Sequence, residues 1–240
     1  MVKLTIDNQT VEAEEGSTIL DAASKVGIYI PTLCYHEALS PDGACRLCSV
    51  EVITNGTSNL NTACTYPVEE GLEVKTNSEK VINARKMVTE LLLAQHPHSD
   101  KVQMLAKKLG IEKPSFTLED RECILCGLCV RTCREIVGPE AIDFIAQGLN
   151  RDIDEPFVKH SEIKCIGCDS CAYVCPTEAI TVEDVGDTRT LTTPSGKIEF
   201  KLKKCKVCGN YWAPEKQLEY IAKQSNQSPE MFDVCPDCRD

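Results

Sequence analysis

The N-terminal quarter of the chain shows two hydrophobic periods in succession. Apolar and polar residues alternate over residues 2–6 and again over 10–13, with the turn Asp7-Asn8-Gln9 between them, which predicts two paired strands. We expect Ser17 to cap a following helix, which would end at Gly27. Its apolar positions recur at helical spacing: Ile19, Leu20, Ala23 and Val26. With further strands at 50–53 and 72–75, these elements predict a β-grasp unit.

The middle of the chain has the period of amphipathic helices. Apolar residues recur at three and four over residues 78–95, and His96-Pro97 marks the end of this helix. A second short helix is predicted over 102–109, ending at Gly110. Since neither segment contains a cysteine, we interpret them as a connector. Further along, strands are predicted at 188–192 and 197–202, joined by the turn Pro194-Ser195-Gly196.

Composition narrows the class of protein. The chain has 240 residues, sixteen cysteines and a net charge of −11, from 26 basic and 37 acidic residues. The N-terminus has no apolar signal-peptide core and no segment is long enough to span a bilayer, so we expect a cytoplasmic protein whose cysteines bind metal instead of forming disulfides. The acidic balance argues against a nucleic-acid partner.

The cysteines form four groups of four, at positions 34–64, 123–133, 165–175 and 205–238. Four ligands are what iron–sulfur clusters and structural zinc require. The second and third groups are an internal repeat, because each has the spacing C-x2-C-x2-C-x3-C and is followed by Glu-Ala-Ile, at residues 140–142 and 178–180.

The repeated motif predicts two [4Fe–4S] clusters, each with three ligands from one copy and the fourth from the other. The first cluster is assigned to Cys123, Cys126, Cys129 and Cys175. The second is assigned to Cys165, Cys168, Cys171 and Cys133. Gly127 and Gly167 are expected to let backbone N–H groups approach the sulfur atoms. Arg134 stands where this motif often has proline, and we expect it to alter the turn without changing ligation. The apolar surroundings are predicted to be Ile124, Leu128, Ile166 and Val174.

The first and last groups differ from this pattern. The spacing Cys34-x10-Cys45-x2-Cys48-x15-Cys64, with the small residues Gly43 and Ala44 before the second ligand, favours a [2Fe–2S] cluster over a zinc site. The C-terminal group is two C-x2-C pairs, which suits structural zinc, our preferred interpretation, and also mononuclear iron or a further cluster. Its ligands would be Cys205, Cys208, Cys235 and Cys238.

The remaining chemistry-bearing residues predict no catalytic site. No catalytic constellation and no glycine-rich dinucleotide motif is present in the sequence. Each of the four histidines is interpreted as a surface or hydrogen-bonding residue, namely His36, His96, His98 and His160. The lysine run at 201, 203, 204 and 206 is interpreted as a solvated face, with a docking patch for an acidic partner as the alternative.

The ordered motifs over residues 1–185 resemble the N-terminal part of the G-subunit family of complex I (NADH dehydrogenase). This family includes the diaphorase small subunit of soluble NAD-reducing hydrogenases and the N-terminal half of iron-only hydrogenases. In the family, the connector usually binds one more [4Fe–4S] cluster through a histidine and three cysteines. His96 stands at the position of that histidine, but the cysteine-bearing loop is absent from the sequence, so we do not assign His96 as a ligand and expect one cluster fewer.

The resemblance implies an iron–sulfur electron-transfer subunit of a multi-subunit oxidoreductase. Its partners would be a flavin- and NAD(P)H-binding iron–sulfur subunit and a catalytic hydrogenase or formate dehydrogenase-type subunit, with ferredoxin as a further candidate. An electron-bifurcating scheme is one role open to the [2Fe–2S] domain. The alternatives are a free-standing polyferredoxin and a redox-sensing or zinc-ribbon regulator, against which the acidic charge argues. No terminal catalytic domain is expected in this chain.

The predicted fold class is α+β, in four domains. These are a [2Fe–2S] ferredoxin-like domain at 1–77, a helical connector at 78–112, a two-[4Fe–4S] ferredoxin domain at 113–186 and a zinc-ribbon or rubredoxin-like domain at 187–240.

Overall fold

The computed structural model of the protein describes residues 1–145, 152–154 and 164–239. The chain divides into two compact units, Met1–Gly127 and Leu128–Asp240, which are described in turn. Within the described ranges, every helix is too short or too polar to cross a membrane.

The first unit is built on a five-stranded sheet in the order β2-β1-β5-β3-β4. Its strands are β1 (Val2–Ile6), β2 (Gln9–Ala13), β3 (Ser49–Thr54), β4 (Thr57–Thr62) and β5 (Glu73–Lys75). All neighbours are antiparallel except β1 and β5, which are parallel. The hydrophobic pattern predicts four of these strands, whereas β4, with the polar sequence TSNLNT, is missed.

Helix α1 (Ile19–Lys25) packs its buried face against this sheet. The prediction that Ser17 caps it is wrong: Thr18 is the N-cap. The hydroxyl of Thr18 accepts the N–H of Asp21 at 3.2 Å, and the carboxylate of Asp21 accepts the N–H of Thr18 at 2.9 Å, which completes a capping box. Ser17 is not available because its hydroxyl donates to the carbonyl of Glu14 at 2.6 Å and closes the preceding turn.

The connector is helical as predicted. Helix α2 (Glu79–Gln95) begins after its N-cap Ser78 and ends at its C-cap His96, and α3 (Asp100–Lys108) follows. The two helices pack against each other around Leu93, Val102 and Ala106, and α2 also packs on β3. A helix of the connector therefore lies directly against the strand that follows Cys48.

The second unit begins with a short helix, α4 (Leu128–Arg131), that continues into a π-helix over Thr132–Val137. Arg134 lies inside this π-helix and its guanidinium pairs with Asp143 at 3.0 Å. The π-helix ends at Gly138, with φ +97°, where a β-carbon would lie only 2.6 Å from the hydroxyl of Tyr220. The backbone after Cys133, where Arg134 was expected to alter the turn, is therefore a π-helix, which is wider than an α-helix.

The remainder of the second unit contains a four-stranded antiparallel sheet. Its strand order is β11-β10-β9-β8, and β6 and β7 form a separate two-stranded antiparallel sheet. The elements are β6 (Asp143–Ile145), β7 (Asp152–Asp154), α5 (Ser170–Tyr173), β8 (Thr181–Val185), β9 (Thr188–Thr193), β10 (Gly196–Lys204), β11 (Tyr211–Pro214), α6 (Glu215–Ser225) and the 3-10 helices Pro229–Phe232 and Pro236–Cys238. The two strands predicted at 188–192 and 197–202 are confirmed as β9 and β10.

The core of the second unit joins this sheet to the cysteine motifs. Leu191, Ile198 and Phe200 of β9 and β10 form one buried cluster with four cysteines, namely Cys129, Cys133, Cys165 and Cys171. The sheet therefore supports the loops that carry the predicted cluster ligands.

Candidate metal centres

The N-terminal quartet lies on loops at one end of the five-stranded sheet. Cys34, Cys48 and Cys64 are each 1% exposed, and Cys45 is half-buried. The sulfur atoms of Cys48 and Cys64 lie 3.4 Å apart, and the N–H of Cys45 donates to the sulfur of Cys34 at 3.4 Å. Gly43 has φ +68°, and a β-carbon there would lie 3.3 Å from Thr65, as expected for a tight loop before the second ligand.

The thiols of this quartet influence one another's acidity. Hydrogen bonding with Cys34 lowers the pKa of Cys45 to about 6, and hydrogen bonding with Cys64 lowers the pKa of Cys48 to about 7. The reciprocal interactions raise the pKa of Cys34 and of Cys64. Two of the four thiols are thus readily converted to thiolates, the form that binds iron or zinc.

The second unit contains a cleft lined by four cysteines from both copies of the repeated motif. Cys133 of the first copy faces the same cleft as Cys165, Cys168 and Cys171 of the second. These are the four residues assigned from the sequence to one [4Fe–4S] cluster. Burial raises the pKa of Cys165 to about 11 and also raises that of Cys171 and Cys133. A bound metal would stabilise the buried thiolates and so remove the free-energy cost of ionising these thiols.

The two copies of the motif have the same backbone conformation. Leu125 and Gly167 occupy equivalent positions and both are left-handed, with φ +53° and +72°. Gly127 and Asp169 are likewise equivalent and left-handed, with φ +71° and +64°. The short helices α4 and α5 then begin at matching positions, Leu128 and Ser170. The internal repeat in the sequence is therefore also a repeat in structure.

The other predicted [4Fe–4S] ligands are divided between the units. Cys123 and Cys126 end the first unit, whereas Cys129 is buried in α4 and Cys175 follows α5 in the second. The sulfur of Cys123 accepts the N–H of Leu125 at 3.4 Å, the short-range contact common at cluster ligands. In the second unit α4 and α5 pack against each other.

Two residues that the sequence did not single out hold the loop of the second motif. Arg189 on β9 donates to the carbonyl of Gly167 at 3.0 Å and pairs with Asp184 through two hydrogen bonds of 2.7 and 2.8 Å. Phe200 on β10 fills the space beside Gly167, where a β-carbon would lie 2.7 Å from its ring. Arginine and phenylalanine are common in strands, so the sequence alone could not indicate that these two residues hold the loop around Gly167.

The C-terminal quartet forms a compact four-sulfur site. All four sulfur atoms, of Cys205, Cys208, Cys235 and Cys238, lie within 4.8 Å of one another. The sulfur of Cys205 accepts the N–H groups of Val207 and Cys235 at 3.4 and 3.3 Å. The N–H of Cys235, with that of Cys208, lowers the pKa of Cys205 to about 6. This geometry suits one tetrahedral ion.

The histidines and the lysine run have specific surroundings. His96 is 2% exposed, its Nδ1 is hydrogen-bonded to the carbonyl of Arg121, and burial lowers its pKa. His98 is exposed, and His160 lies outside the described residues. Lys201 pairs with Glu215, while Lys203 and Lys206 both pair with Asp233. Because these lysines already have acidic partners in the chain, the run has less charge to offer an acidic partner protein.

The four donor sets share their chemistry and differ in the spacing of their sulfur atoms. All sixteen cysteines are free thiols, and fifteen of them are buried or half-buried. Among the described residues, the C-terminal quartet alone places three or more ligand atoms within 4.8 Å of one another. Zn–S bonds of about 2.3 Å need such close sulfurs, whereas iron–sulfur clusters hold their ligands further apart. The other quartets are all-thiolate donor sets, which iron–sulfur clusters and zinc both accept. The C-terminal quartet has the close sulfur spacing of a single-ion site.

Two parts of the chain match families of iron–sulfur proteins. Residues 1–79 match a 2Fe-2S iron-sulfur cluster binding domain, and residues 164–210 match a 4Fe-4S dicluster domain. The second match covers the Cys165–Cys175 motif and continues to Cys208, while the first copy of the motif lies before it. Fold and cysteine sites together define an iron–sulfur electron-transfer protein.

Similarity to individual proteins narrows the family to which the chain belongs. It is 38% identical to the NADPH-Fe(3+) oxidoreductase subunit alpha of Geobacter sulfurreducens, over 74% of this chain and 24% of that protein. It is 36% identical to the NADP-reducing hydrogenase subunit HndD of Solidesulfovibrio fructosivorans, over 75% of this chain and 36% of that protein. It is also 31% identical to a chain in a crystal structure of NAD+-reducing [NiFe]-hydrogenase in the H2-reduced state, with a TM-score of 0.55.

That match to the hydrogenase structure covers 63% of this chain and 74% of the other. A further relative, at 31% identity, is an NADH-quinone oxidoreductase subunit of Rhizobium meliloti. The chain belongs to the family of iron–sulfur subunits that these proteins share, as its motifs suggested. It spans only 24% to 36% of the length of the curated relatives.

Proposed function

We propose that the chain carries one [2Fe–2S] cluster, two [4Fe–4S] clusters and one zinc ion. The cleft that brings Cys133 together with Cys165, Cys168 and Cys171 is the main support, because a ligand supplied by the other copy of the motif is characteristic of two-cluster ferredoxins. By the same repeat, Cys175 completes the set of Cys123, Cys126 and Cys129. The N-terminal quartet, in a domain that matches 2Fe-2S proteins, takes the [2Fe–2S] cluster.

The proposed role is electron relay within a multi-subunit oxidoreductase. The relatives' names link them to NADPH, NADP, NAD+ and NADH, and two of them are hydrogenases. On this basis one partner is a flavin-bearing subunit that exchanges electrons with NAD(P)H. The other is a catalytic subunit of the hydrogenase or formate dehydrogenase type. The cytoplasm is the proposed compartment, because sixteen ligand thiols need a reducing environment.

Purification from the native source tests this role. The chain is expected to co-purify anaerobically with a flavin-containing subunit, and addition of NADH or NADPH to that complex should produce the EPR signals of its reduced clusters. A persistent monomer at native concentration would contradict the subunit role and favour the free-standing polyferredoxin, whose acidic surface suits diffusional encounter. Clusters reduced by neither nucleotide would contradict the nucleotide link.

For the C-terminal site we favour structural zinc over mononuclear iron. The two C-x2-C pairs and the close sulfurs suit both ions. The segment between the two C-x2-C pairs forms only a small core of Ala213, Leu218, Ala222 and Phe232, and a closed zinc site is sufficient to hold such a segment. Metal analysis of the full chain separates the two, since structural zinc predicts about ten irons and one zinc per chain, whereas mononuclear iron predicts about eleven irons and no zinc.

A further inference from the structure

Arg85 is a buried cation beside the N-terminal quartet. It lies on α2 and is 8% exposed. Its Nη2 donates to the backbone carbonyl of Ser49 at 2.7 Å, across 36 residues of sequence. Ser49 directly follows Cys48 and begins β3, so the guanidinium is attached to the backbone next to a predicted cluster ligand.

Within the described residues the Arg85 guanidinium has no counter-charge at ion-pair distance. In the part of the chain that the structure describes, no carboxylate is paired with it, and its buried Nε has no hydrogen-bond partner. Burial lowers the pKa of Arg85, and the charges that oppose this shift belong to Cys48 first, then Asp7 and Tyr29. The carboxylate of Asp7 already accepts the N–H and the hydroxyl of Thr76. A buried, unpaired cation is costly, so a nearby anion is needed to offset it.

Arg189 provides a direct contrast in the second unit. Its guanidinium also donates to a backbone carbonyl in a cysteine loop, but Asp184 and Asp169 pair with it at 2.7 and 3.6 Å. Two carboxylates thus neutralise Arg189, whereas the described residues supply none for Arg85. A [2Fe–2S] cluster with four thiolates has a charge of about −2 when oxidised and about −3 when reduced. The cluster would therefore supply the negative charge that the described residues do not supply to Arg85.

We propose that Arg85 is a positioning residue that raises the reduction potential of the [2Fe–2S] centre by placing an unneutralised buried charge beside Cys48. The inference rests on the proposed assignment of the N-terminal quartet to a [2Fe–2S] cluster. Reduction adds one electron to the cluster, and a fixed cation in a low-dielectric surrounding favours the more negative product. Because an arginine remains protonated, the effect persists at all working pH values.

The test is an anaerobic redox titration of the full holoprotein, followed by EPR at a temperature at which [4Fe–4S] signals are broadened. Arg85→Gln removes the charge and keeps a donor for the Ser49 carbonyl. Lys86→Gln is the matched control, because it removes the same charge from the adjacent but exposed residue of α2. Arg85→Lys keeps the charge without the planar guanidinium.

We expect R85Q to make the equilibrium constant for reduction of the [2Fe–2S] cluster at least tenfold less favourable, which is about 59 mV more negative for a one-electron couple. K86Q and R85K should stay within threefold of the unmodified protein. A cluster present in R85Q with an unchanged potential would overturn this inference alone. If R85Q does not assemble, R85K decides, since a tenfold shift in that variant would show that the charge is not what matters. Absence of any [2Fe–2S] signal in the unmodified protein would overturn both the assignment and this inference.

Discussion

The ring of Phe200 occupies the space into which a side chain at Gly167 would extend. An ideal β-carbon on Gly167 would lie 2.7 Å from Cγ of that ring, and Gly167 itself has φ +72°. Gly167 lies between Cys165 and Cys168, so a strand of the second unit's sheet packs directly on a loop of predicted cluster ligands. Packing of the sheet and ligation of the cluster are therefore coupled.

We expect Gly167→Ala to disrupt the second [4Fe–4S] site. The added methyl group overpacks the core, at a cost of about 1–3 kcal/mol, and the left-handed backbone costs about 1–2 kcal/mol more for a residue with a β-carbon. Gly186→Ala is the matched control, because Gly186 has φ +60° but a β-carbon there would meet nothing within 4 Å. Iron analysis should show about four irons fewer per chain in G167A alone. Equal iron in both variants would contradict the coupling.

A second prediction concerns the contribution of Arg189, which pairs with Asp184 through two hydrogen bonds, to the stability of the protein. Arg189→Met removes the donor to the Gly167 carbonyl and leaves Asp184, which is 41% exposed, without its partner. We expect a loss of about 1–2 kcal/mol in the free energy of unfolding, measured by chemical denaturation. Lys201→Met breaks the exposed pair with Glu215 and should cost less than about 0.5 kcal/mol. A loss in K201M as large as in R189M would show that the part-buried loop contact adds nothing to what an exposed ion pair contributes.

His96 should make the stability of the protein depend on pH. Burial lowers the pKa of His96 below its ordinary value of 6.5, and its Nε2 is buried without a partner among the described residues. Between the lowered folded pKa and 6.5 the unfolded chain binds more protons, so stability is full above pH 6.5 and falls as the pH drops below it.

His96→Asn keeps a donor for the Arg121 carbonyl and cannot titrate. Denaturation curves from about pH 7.5 to about pH 5.5 should therefore be flatter for this variant than for the unmodified protein. His98→Asn is the control, since the His98 side chain is 86% exposed. An unchanged slope in H96N would show that this ring does not set the pH dependence.

The C-terminal site should be separable from the clusters. Cys235→Ser removes a buried ligand from the four-sulfur group. We expect the variant to lose one zinc per chain and to unfold locally around α6, because ligand binding is part of the folding energy of such sites. Iron content and the EPR signals of the reduced clusters should be unchanged. Loss of one iron instead of zinc would identify mononuclear iron, and loss of about four would show a further cluster.

The cysteine groups could be predicted from the sequence because most ligands of each site are close in the chain. Spacing within a C-x2-C-x2-C-x3-C motif fixes local geometry, and the repeat predicted that Cys133 would join the other copy, where the structure has it. Helix α2 and strands β9 and β10 were predictable for a similar reason, since each is defined by a pattern of residues close together in the sequence. Alternating strands and amphipathic helices carry their burial pattern in the sequence.

The parts that were missed depend on contacts distant in sequence. Strand β4 is polar and lies at the edge of its sheet, so only its pairing with β3 identifies it. Arg85 occupies a position in α2 where a charged residue would ordinarily be assigned to the solvent face, but β3 covers it. The choice between Ser17 and Thr18 as the cap depended on a hydrogen bond to Glu14.

Metal and sulfide analysis of the full chain, purified anaerobically, shows most directly whether the protein is an iron–sulfur relay with three clusters and one closed metal site. We expect about ten irons, about ten acid-labile sulfides and one zinc per chain if the proposed set of centres is right. About eleven irons without zinc would correct only the C-terminal ion. Four zinc ions with no labile sulfide, or about six irons or fewer in a fully folded chain, would contradict the relay.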